Sequence, residues 1–510
     1  MIKINKNHSF IILLMICFFN KFAFSQEAYV DSKVLTLPMN KIYYDFNKFI
    51  INDHNKLTNE KSESNSINSF FNISFNTEYV ANTGHPNIDN SAEFYARSSY
   101  ARLFSTRVTY KNQWFSLELE PYTISQNNIV VDNESVGGTY QFNNNHGPNN
   151  VPPKTKTGFK QSRIILNYYG VGFGYGYMSH WWSPGFHSAL ALSSNAPSQE
   201  TYAFGTFKDL RLGNFAFGAQ IIVMPFTSTN DVQLYFSGLK AHVTYHSDPV
   251  ITLGLHRTYM SGDFSNLSST SKATDSWTME DAARLVIEPL FGQSKRNLGY
   301  TIPGTPGFDS WDEILTGYIK LTFPAVNLQV YADVASDDNR GNLTDFKAHW
   351  DHTLGYMLGF KKFTYLNRWS LFTGAEYLTT RVSNTFKSSF YRGNEPPNYY
   401  AKPIYDYFTY QGRRMGAHSG SSSDDLIFVL GMGNQKNITF FSYNKERHGI
   451  KNVNFPELKT ELSLTYHRKI TKQQTAFITL EYEHIRNFAF VQGNVSESKL
   501  LWLGYSYSMR

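Results

Sequence analysis

The chain has 510 residues, with 47 Lys+Arg against 41 Asp+Glu, a formal net charge of +6 and a single cysteine. Aromatic residues (41 Phe, 34 Tyr, 8 Trp) make up 16% of it, yet the mean hydropathy is negative, at -0.39. So mild a charge does not point to nucleic acid, and one thiol excludes a disulfide framework within the chain.

The first elements read as a secretory leader. Lys3 and Lys6 precede an apolar run from Phe10 to Phe19, and Ala23-Phe24-Ser25 has the small-x-small form of a cleavage site. Residues 1–25 are therefore assigned to a signal peptide, with Gln26 as the mature start. The apolar run is shorter than the ~20 residues of a spanning helix. Cys17 follows the large Ile16, whereas a lipoprotein signal wants a small residue there. Loss of the leader removes Cys17 and with it all thiolate chemistry. It also removes Lys3, Lys6 and Lys21, leaving a net charge of about +3.

Residues 26–70 are rich in Asn, Lys and Ser, with a weak apolar patch from Ile42 to Ile50 and a linker-like Lys61-Ser62-Glu63-Ser64-Asn65-Ser66. They read either as a plug on the periplasmic side or as a flexible lead-in. From residue 71 to 510 the pattern changes to segments of about ten residues with period-2 alternation. Phe71, Ile73 and Phe75 alternate with Asn72, Ser74 and Asn76. Phe115, Leu117 and Leu119 alternate with Ser116, Glu118 and Glu120. The Asn-, Gly- and Pro-rich stretch 126–160 reads as a long outer loop. Alternation returns at 215–223, 232–245 and 251–256, the last after a Ser247-Asp248-Pro249 turn. Thr278 to Ile287 begins like a capping box and predicts a short helix within a loop.

The clearest hairpin lies at 315–334. Leu315, Ile319, Leu321 and Phe323 oppose Thr316, Tyr318, Lys320 and Thr322 up to a tight Pro324-Ala325 turn. A second hairpin, 354–380, puts Glu376 on its polar side, and a Tyr/Pro/Gly-rich loop, 387–425, follows. Near the C-terminus, Leu462, Leu464 and Tyr466 oppose Glu461, Ser463, Thr465 and His467. Leu480 and Tyr482 oppose Glu481 and Glu483, and Leu503 and Tyr505 oppose Trp502 and Gly504. Carboxylates on one face of membrane-length strands require a wet lumen. The fold class is therefore all-β: a single transmembrane antiparallel barrel of roughly 16 to 18 strands. No 40–50-residue repeat of a propeller is present.

One stretch stands apart. In Tyr168–Phe207, Val171, Phe173, Tyr175 and Tyr177 alternate with Gly170, Gly172, Gly174 and Gly176, so one strand face is bare backbone. Trp181-Trp182-Ser183-Pro184-Gly185 follows, then a small-residue run to Ser193-Ser194-Asn195-Ala196-Pro197. The expectation is a loop folded back over its own glycine strand. The glycines do not form a dinucleotide fingerprint, since no helix follows them.

These residues resemble the Wzi capsule-assembly family of outer-membrane proteins. The resemblance rests on the Trp-Trp-x-Pro-Gly turn after a glycine-rich strand and the run into Ser-x-Asn-Ala. A second segment, Arg413-Arg414-Met415-Gly416-Ala417-His418-Ser419-Gly420, is similar to the family's late Gly-His-x-x-Gly motif. Where the family more often has glycine, Ser183 stands here, so the turn cannot use φ > 0 at that position. The resemblance runs loosely from Thr77 to the C-terminus. It implies 18 strands and a lectin-like, non-enzymatic protein that anchors or assembles capsular polysaccharide or exopolysaccharide, with lipid as its other partner.

The candidate binding groups are Trp181 and Trp182, whose indoles could stack on sugar rings, and Arg413, Arg414 and His418, of which the arginines could meet an acidic polymer. The competing readings are an aromatic-girdle or loop-core pair for the indoles and solvated loop charges for the arginines. Gly172, Gly174, Gly176, Pro184, Gly185, Asn195 and Ala196 are read as structural. His180, His187 and His418 lack the close spacing of a zinc pair and read as lumen or loop histidines, with no metal or cofactor assigned. His418-Ser419 offers no G-x-S-x-G setting for a nucleophile, so no catalytic residue is assigned. The alternative function is a porin-like channel.

Overall fold

A computed structural model of the protein describes residues 40–51, 70–84, 89–90, 93, 99–126, 155–227, 233–262, 311–337, 354–381, 399–400, 408–411, 413–450 and 453–509. The leader at 1–25, the linker at 61–66, the capping-box segment 278–287 and Arg510 lie outside the described residues.

Alternating strands build one antiparallel sheet in which each strand pairs with the next in sequence. They are β1 (Phe70–Asn82), β2 (Ser99–Lys111), β3 (Phe115–Gln126), β4 (Thr155–Tyr168), β5 (Val171–Met178), β6 (Gln199–Thr206), β7 (Leu210–Leu212), β8 (Phe215–Thr227), β9 (Gln233–Tyr245) and β10 (Val250–Gly262). The second half comprises β11 (Trp311–Phe323), β12 (Leu328–Asp337), β13 (Leu354–Leu366), β14 (Trp369–Thr379), β17 (Asp424–Gly433), β18 (Asn437–His448), β19 (Glu457–Lys469), β20 (Gln474–Arg486) and β21 (Val495–Met509). A separate ribbon pairs β15 (Thr409–Tyr410) with β16 (Arg413–Arg414). β21 closes the ring on β1, from Ile73 opposite Met509 to Asn82 opposite Leu500. β6 and β7 both pair with β8 and together make one interrupted strand, so the closed barrel has 18 strands. No helix among the described residues is long and apolar enough to cross a membrane; here strands do so.

Alternation sorts the side chains as the period-2 pattern requires. Phe71, Phe75, Leu119, Leu464, Leu480 and Leu503 point outward and are exposed, while Ser74, Asn76, Glu118, Glu120, Thr465, Glu481 and Glu483 point into the lumen and are buried. The expected hairpin at 315–334 has the same sidedness, with Leu315, Ile319 and Val334 outside and Thr316 and Asp333 inside. Its turn is a 3-10 segment, Pro324–Val326, closed by Asn327 in the left-handed region at φ 49.

Short turns gather at the end of the barrel that holds Phe70 and Met509, and long connections gather at the other. In outer-membrane barrels the short turns are periplasmic and the long loops extracellular. An aromatic belt marks the periplasmic rim: Trp114 stacks on Tyr168 at 4.9 Å, and Phe215 meets Tyr245 at 4.9 Å. Gly170 is not part of the bare strand face. With Tyr169 it forms the two-residue turn between β4 and β5, with φ values of 94 and 50.

The lumen is occupied from both ends. From the periplasmic end comes helix α1 (Asn40–Ile51), which carries the apolar patch noted in the sequence. Phe46 is fully enclosed by Phe363, Phe372 and Phe440, at ring distances of 6.2, 6.1 and 5.7 Å. Lys361 Nζ reaches Asp45 Oδ2 at 2.7 Å. Across the lumen the wall of β1–β4 and β21 carries a small apolar cluster, including Val80, Leu103 and Ile124, beside internally paired charges. Arg107 donates to Glu120 (2.7 Å from Nε), Arg163 meets Glu118 (3.1 Å), and Trp502 Nε1 donates to Glu78 (2.9 Å). Buried charges held this way satisfy one another without water.

Candidate functional site

The second occupant of the lumen is residues 179–198, the connection from β5 to β6. The loop does not lie on its own glycine strand. A Cβ at Gly174 would meet Phe207, at 3.0 Å, and Met178, so the β6–β7 break supplies the ring that covers that glycine. The recesses that receive the loop are glycines of other strands. Trp182 sits against Gly238 of β9, Leu190 against Gly355 of β13, and Phe186 against Gly374 of β14; Cβ atoms there would lie 2.6, 2.9 and 3.2 Å from those side chains. The physical reason is that Phe207 already covers the glycine strand, whereas Gly238, Gly355 and Gly374 leave recesses in which apolar side chains of the loop are buried.

One carboxylate fixes the crossing. Glu376 of β14, buried, accepts from Phe186 N (2.7 Å), Ser188 N (2.7 Å), His187 N (3.3 Å) and the Tyr331 hydroxyl (2.7 Å). Three consecutive backbone N–H groups converging on one carboxylate make a charge-assisted clamp. Gly185 is required beside it, because a Cβ there would stand 2.8 Å from Glu376 Oε2 and 2.7 Å from Met357. Ser183 is not among the residues at positive φ, and its Oγ accepts from Gly185 N at 3.0 Å, so a side-chain hydrogen bond shapes the turn where glycine was expected.

The two motif segments meet. Asn195 Nδ2 donates to Arg414 O (2.9 Å), Ser193 Oγ to Gly416 O (2.6 Å) and Ser193 N to Met415 O (2.6 Å). The Tyr400 hydroxyl donates to Leu190 O (2.5 Å) and accepts from Ala417 N (2.9 Å). Asn195 and Ala196 are buried, as are Pro184 and Gly185, so this run acts as framework.

The candidate binding residues divide. Trp182 is 2% exposed; its ring lies 5.9 Å from Lys240 Nζ and 5.5 Å from the His256 ring. Arg413 and Arg414 are turned inward, 2% and 1% exposed. Arg413 Nη2 reaches Asn195 Oδ1 (3.4 Å), and the Arg414 guanidinium lies over the Tyr400 ring (5.7 Å). The reading of the arginines as solvated loop charges is corrected by this burial: both side chains sit among the packed loops. Trp181 is half-buried, with Nε1 donating to Gly185 O at 3.0 Å.

His418, also buried, lies beside His187 with ring centroids 4.6 Å apart. Both approach Asp425 at the outer end of β17: Oδ2 is 3.1 Å from His418 Nε2 and 3.2 Å from His187 Nε2. Around them are Asn90, Asn444, Glu446 and Asp89, the last two shared by Lys459. His187 and His180 differ electrically although both are loop residues. Burial disfavours the His187 imidazolium, but Asp425, Glu376 and Glu446 outweigh it and push its pKa up to about 9. Burial, reinforced by Lys240 and Arg163, pushes His180 down to about 3. The pairing of His187 with His418 carried no signal in the sequence, because the two sit in different loops with no local spacing to read.

No family model matches the sequence, and no curated protein does. Among solved structures, the chain is similar to Wzi of Escherichia coli, described as an outer-membrane protein involved in group 1 capsule assembly and a carbohydrate-binding β-barrel. Identity is 12% and the TM-score 0.57, over 85% of this chain and 83% of that one. OccAB1 of Acinetobacter baumannii (9% identity, TM-score 0.43, 88% and 100% covered) and OpdK of Pseudomonas aeruginosa (8%, 0.43, 87% and 99%) match more loosely. The chain has the 18-stranded outer-membrane barrel fold seen in Wzi.

Proposed function

We propose that this barrel is a non-enzymatic holder of capsular polysaccharide or exopolysaccharide at the cell surface, delivered to the outer membrane by its N-terminal signal peptide. The observation that carries this reading is the pair of elements packed inside the barrel. Helix α1 enters from one end, the Glu376-clamped loop from the other, and both join one apolar cluster through Phe46, Phe372 and Phe186. A barrel packed in this way serves as a rigid base for its outer loops. The alternative, a porin-like channel, needs a continuous aqueous path through that cluster. The fold likeness to a carbohydrate-binding barrel agrees with the reading.

In this reading the buried residues of the two motif segments set the loop framework, and sugar contacts are made from the outer surface. Trp181, half-buried, is the stacking candidate of the pair; Trp182 anchors the loop. Individually weak contacts suffice, because a long polymer engages many copies at once. The test is the ratio of cell-bound to shed polysaccharide in a deletion strain complemented with wild type, Trp181→Ala or Trp182→Ala. Deletion should shed polymer and wild type should restore retention. Trp181→Ala should restore it only in part while its outer-membrane level stays normal. Unchanged retention on deletion, together with single-channel conductance of the purified protein in a planar bilayer, would replace this function with the channel.

A further inference from the structure

Three side chains, Asp425, His418 and His187, converge in the lumen. Asp425 and His418 are each 1% exposed. Among the described residues, neither carboxylate oxygen of Asp425 nor Nε2 of His418 has a hydrogen-bond partner, although Nε2 lies only 3.1 Å from Oδ2. His187 completes the group from the inserted loop, its Nε2 3.2 Å from the same oxygen. One donor atom from each of the three lies within 4.8 Å of the other two. Leaving a buried carboxylate and imidazole in this state costs about 1–3 kcal/mol per unmet group, so the arrangement wants a partner.

We propose that His187, His418 and Asp425 form a binding site for one divalent transition-metal ion of the zinc class, which ties the 179–198 loop and the 408–423 segment to β17. The donor separations come close to it: tetrahedral bonds of ~2.0–2.2 Å place neighbouring ligands about 3.3–3.6 Å apart, against 3.1 and 3.2 Å from the two imidazoles to Asp425 Oδ2. Two imidazoles and a carboxylate select zinc and its neighbours over calcium or magnesium, which take oxygen ligands. The amide of Asn444 stands at the edge, with Nδ2 3.2 Å from His187 Nε2 and donating to Glu446 Oε1 at 2.9 Å. The other triad, Asp89, His418 and Glu446, is the weaker candidate, because Lys459 already bonds both acids.

The site stands independently of polysaccharide binding, and its test contains no polymer. Tag-free, folded protein in detergent is stripped with EDTA and titrated with Co²⁺ alone. The proposal expects about one ion per chain, a visible d–d band of a nitrogen- and oxygen-ligated site, and displacement by Zn²⁺. His187→Ala and His418→Ala should each weaken binding by more than about 100-fold, beyond the effect of disturbing an outer-shell group. His180→Gln, a change to a buried loop histidine outside the triad, should bind as wild type does. Heat-modifiable migration on gels shows that each variant is folded. Folded wild type without a Co²⁺ band overturns the site, whatever the variants do, and so does equal uptake by folded His418→Ala.

Discussion

The two occupants of the lumen are held by different forces. Helix α1 is fastened chiefly by rings: Phe46 and Phe49 pack among Phe363, Phe372 and Phe440, with Lys361–Asp45 as an ion pair alongside. The 179–198 loop buries apolar groups too, but its path is dictated by polar clamps at fixed points: Glu376 under Phe186–Ser188, and Ser193 and Asn195 on the backbone of 414–416. Ring packing is non-directional and degrades gradually. A carboxylate that takes several N–H groups is directional, and its loss strands every donor at once. The helix should therefore tolerate substitution by degrees, whereas the loop should be either seated or free.

The sharpest way to break that contrast is Glu376→Ala. It strands three buried N–H groups and the Tyr331 hydroxyl, for a total on the order of 6 kcal/mol against the seated loop at 1–3 kcal/mol per group. Residues 179–198 contain no Lys or Arg but hold Trp181, Trp182, Phe186 and Leu190, so chymotrypsin is the probe. Wild type should resist cleavage here, and Glu376→Ala should be cut within the loop while the barrel remains folded. Equal resistance in the two proteins would mean that burial, not the clamp, seats the loop.

Phe46→Ala asks the complementary question. It deletes a fully buried ring from the α1 contact, at a cost of about 4 kcal/mol. Hydrogen exchange should quicken across 40–51 while the loop keeps its chymotrypsin resistance. If both occupants loosen together, Phe372 couples them, since it touches Phe46 at 6.1 Å and Phe186 at 6.2 Å.

The same contrast accounts for what the sequence could and could not disclose. The wall was readable because lipid and lumen impose a period-2 rule at each residue, as at Phe71, Ser74 and Phe75 or Leu480 and Glu481. Even the lumen direction of Glu376 followed from its place in a hairpin. Its job did not, because its backbone partners lie 188 to 190 residues away. The bare face of Gly172–Gly176 pointed to a close approach, but period-2 geometry does not say by what. Phe207 covers Gly174 itself, while Gly238, Gly355 and Gly374, unremarkable in the sequence, make room for the loop. The motif residues Asn195 and Arg413–His418 were visible as a family-like pattern. That they bond one another, and that the arginines turn inward, is a property of the packed lumen.

The smallest expected effect concerns the loop's entry, at His180. In the folded chain, burial, with Lys240 and Arg163 nearby, pushes its pKa down to about 3, and its Nε2 is 3.2 Å from Thr201 Oγ1. An unfolded or released loop has an ordinary histidine of pKa near 6.5. As pH falls below 6.5 the released state binds a proton that the seated state refuses. Seating is therefore fully favoured above about 6.5 and weakens toward pH 3, by up to about 1.4 kcal/mol per pH unit. Thermal melts followed by near-UV circular dichroism at pH 7.5 and pH 5 should show a loss on acidification that shrinks in His180→Gln. Carboxylates and other histidines titrate in both proteins, so the difference between the two slopes isolates His180. Parallel slopes would show that His180 stays neutral in both states or charges without disturbing the seat, and would move the polar control of the loop wholly to Glu376.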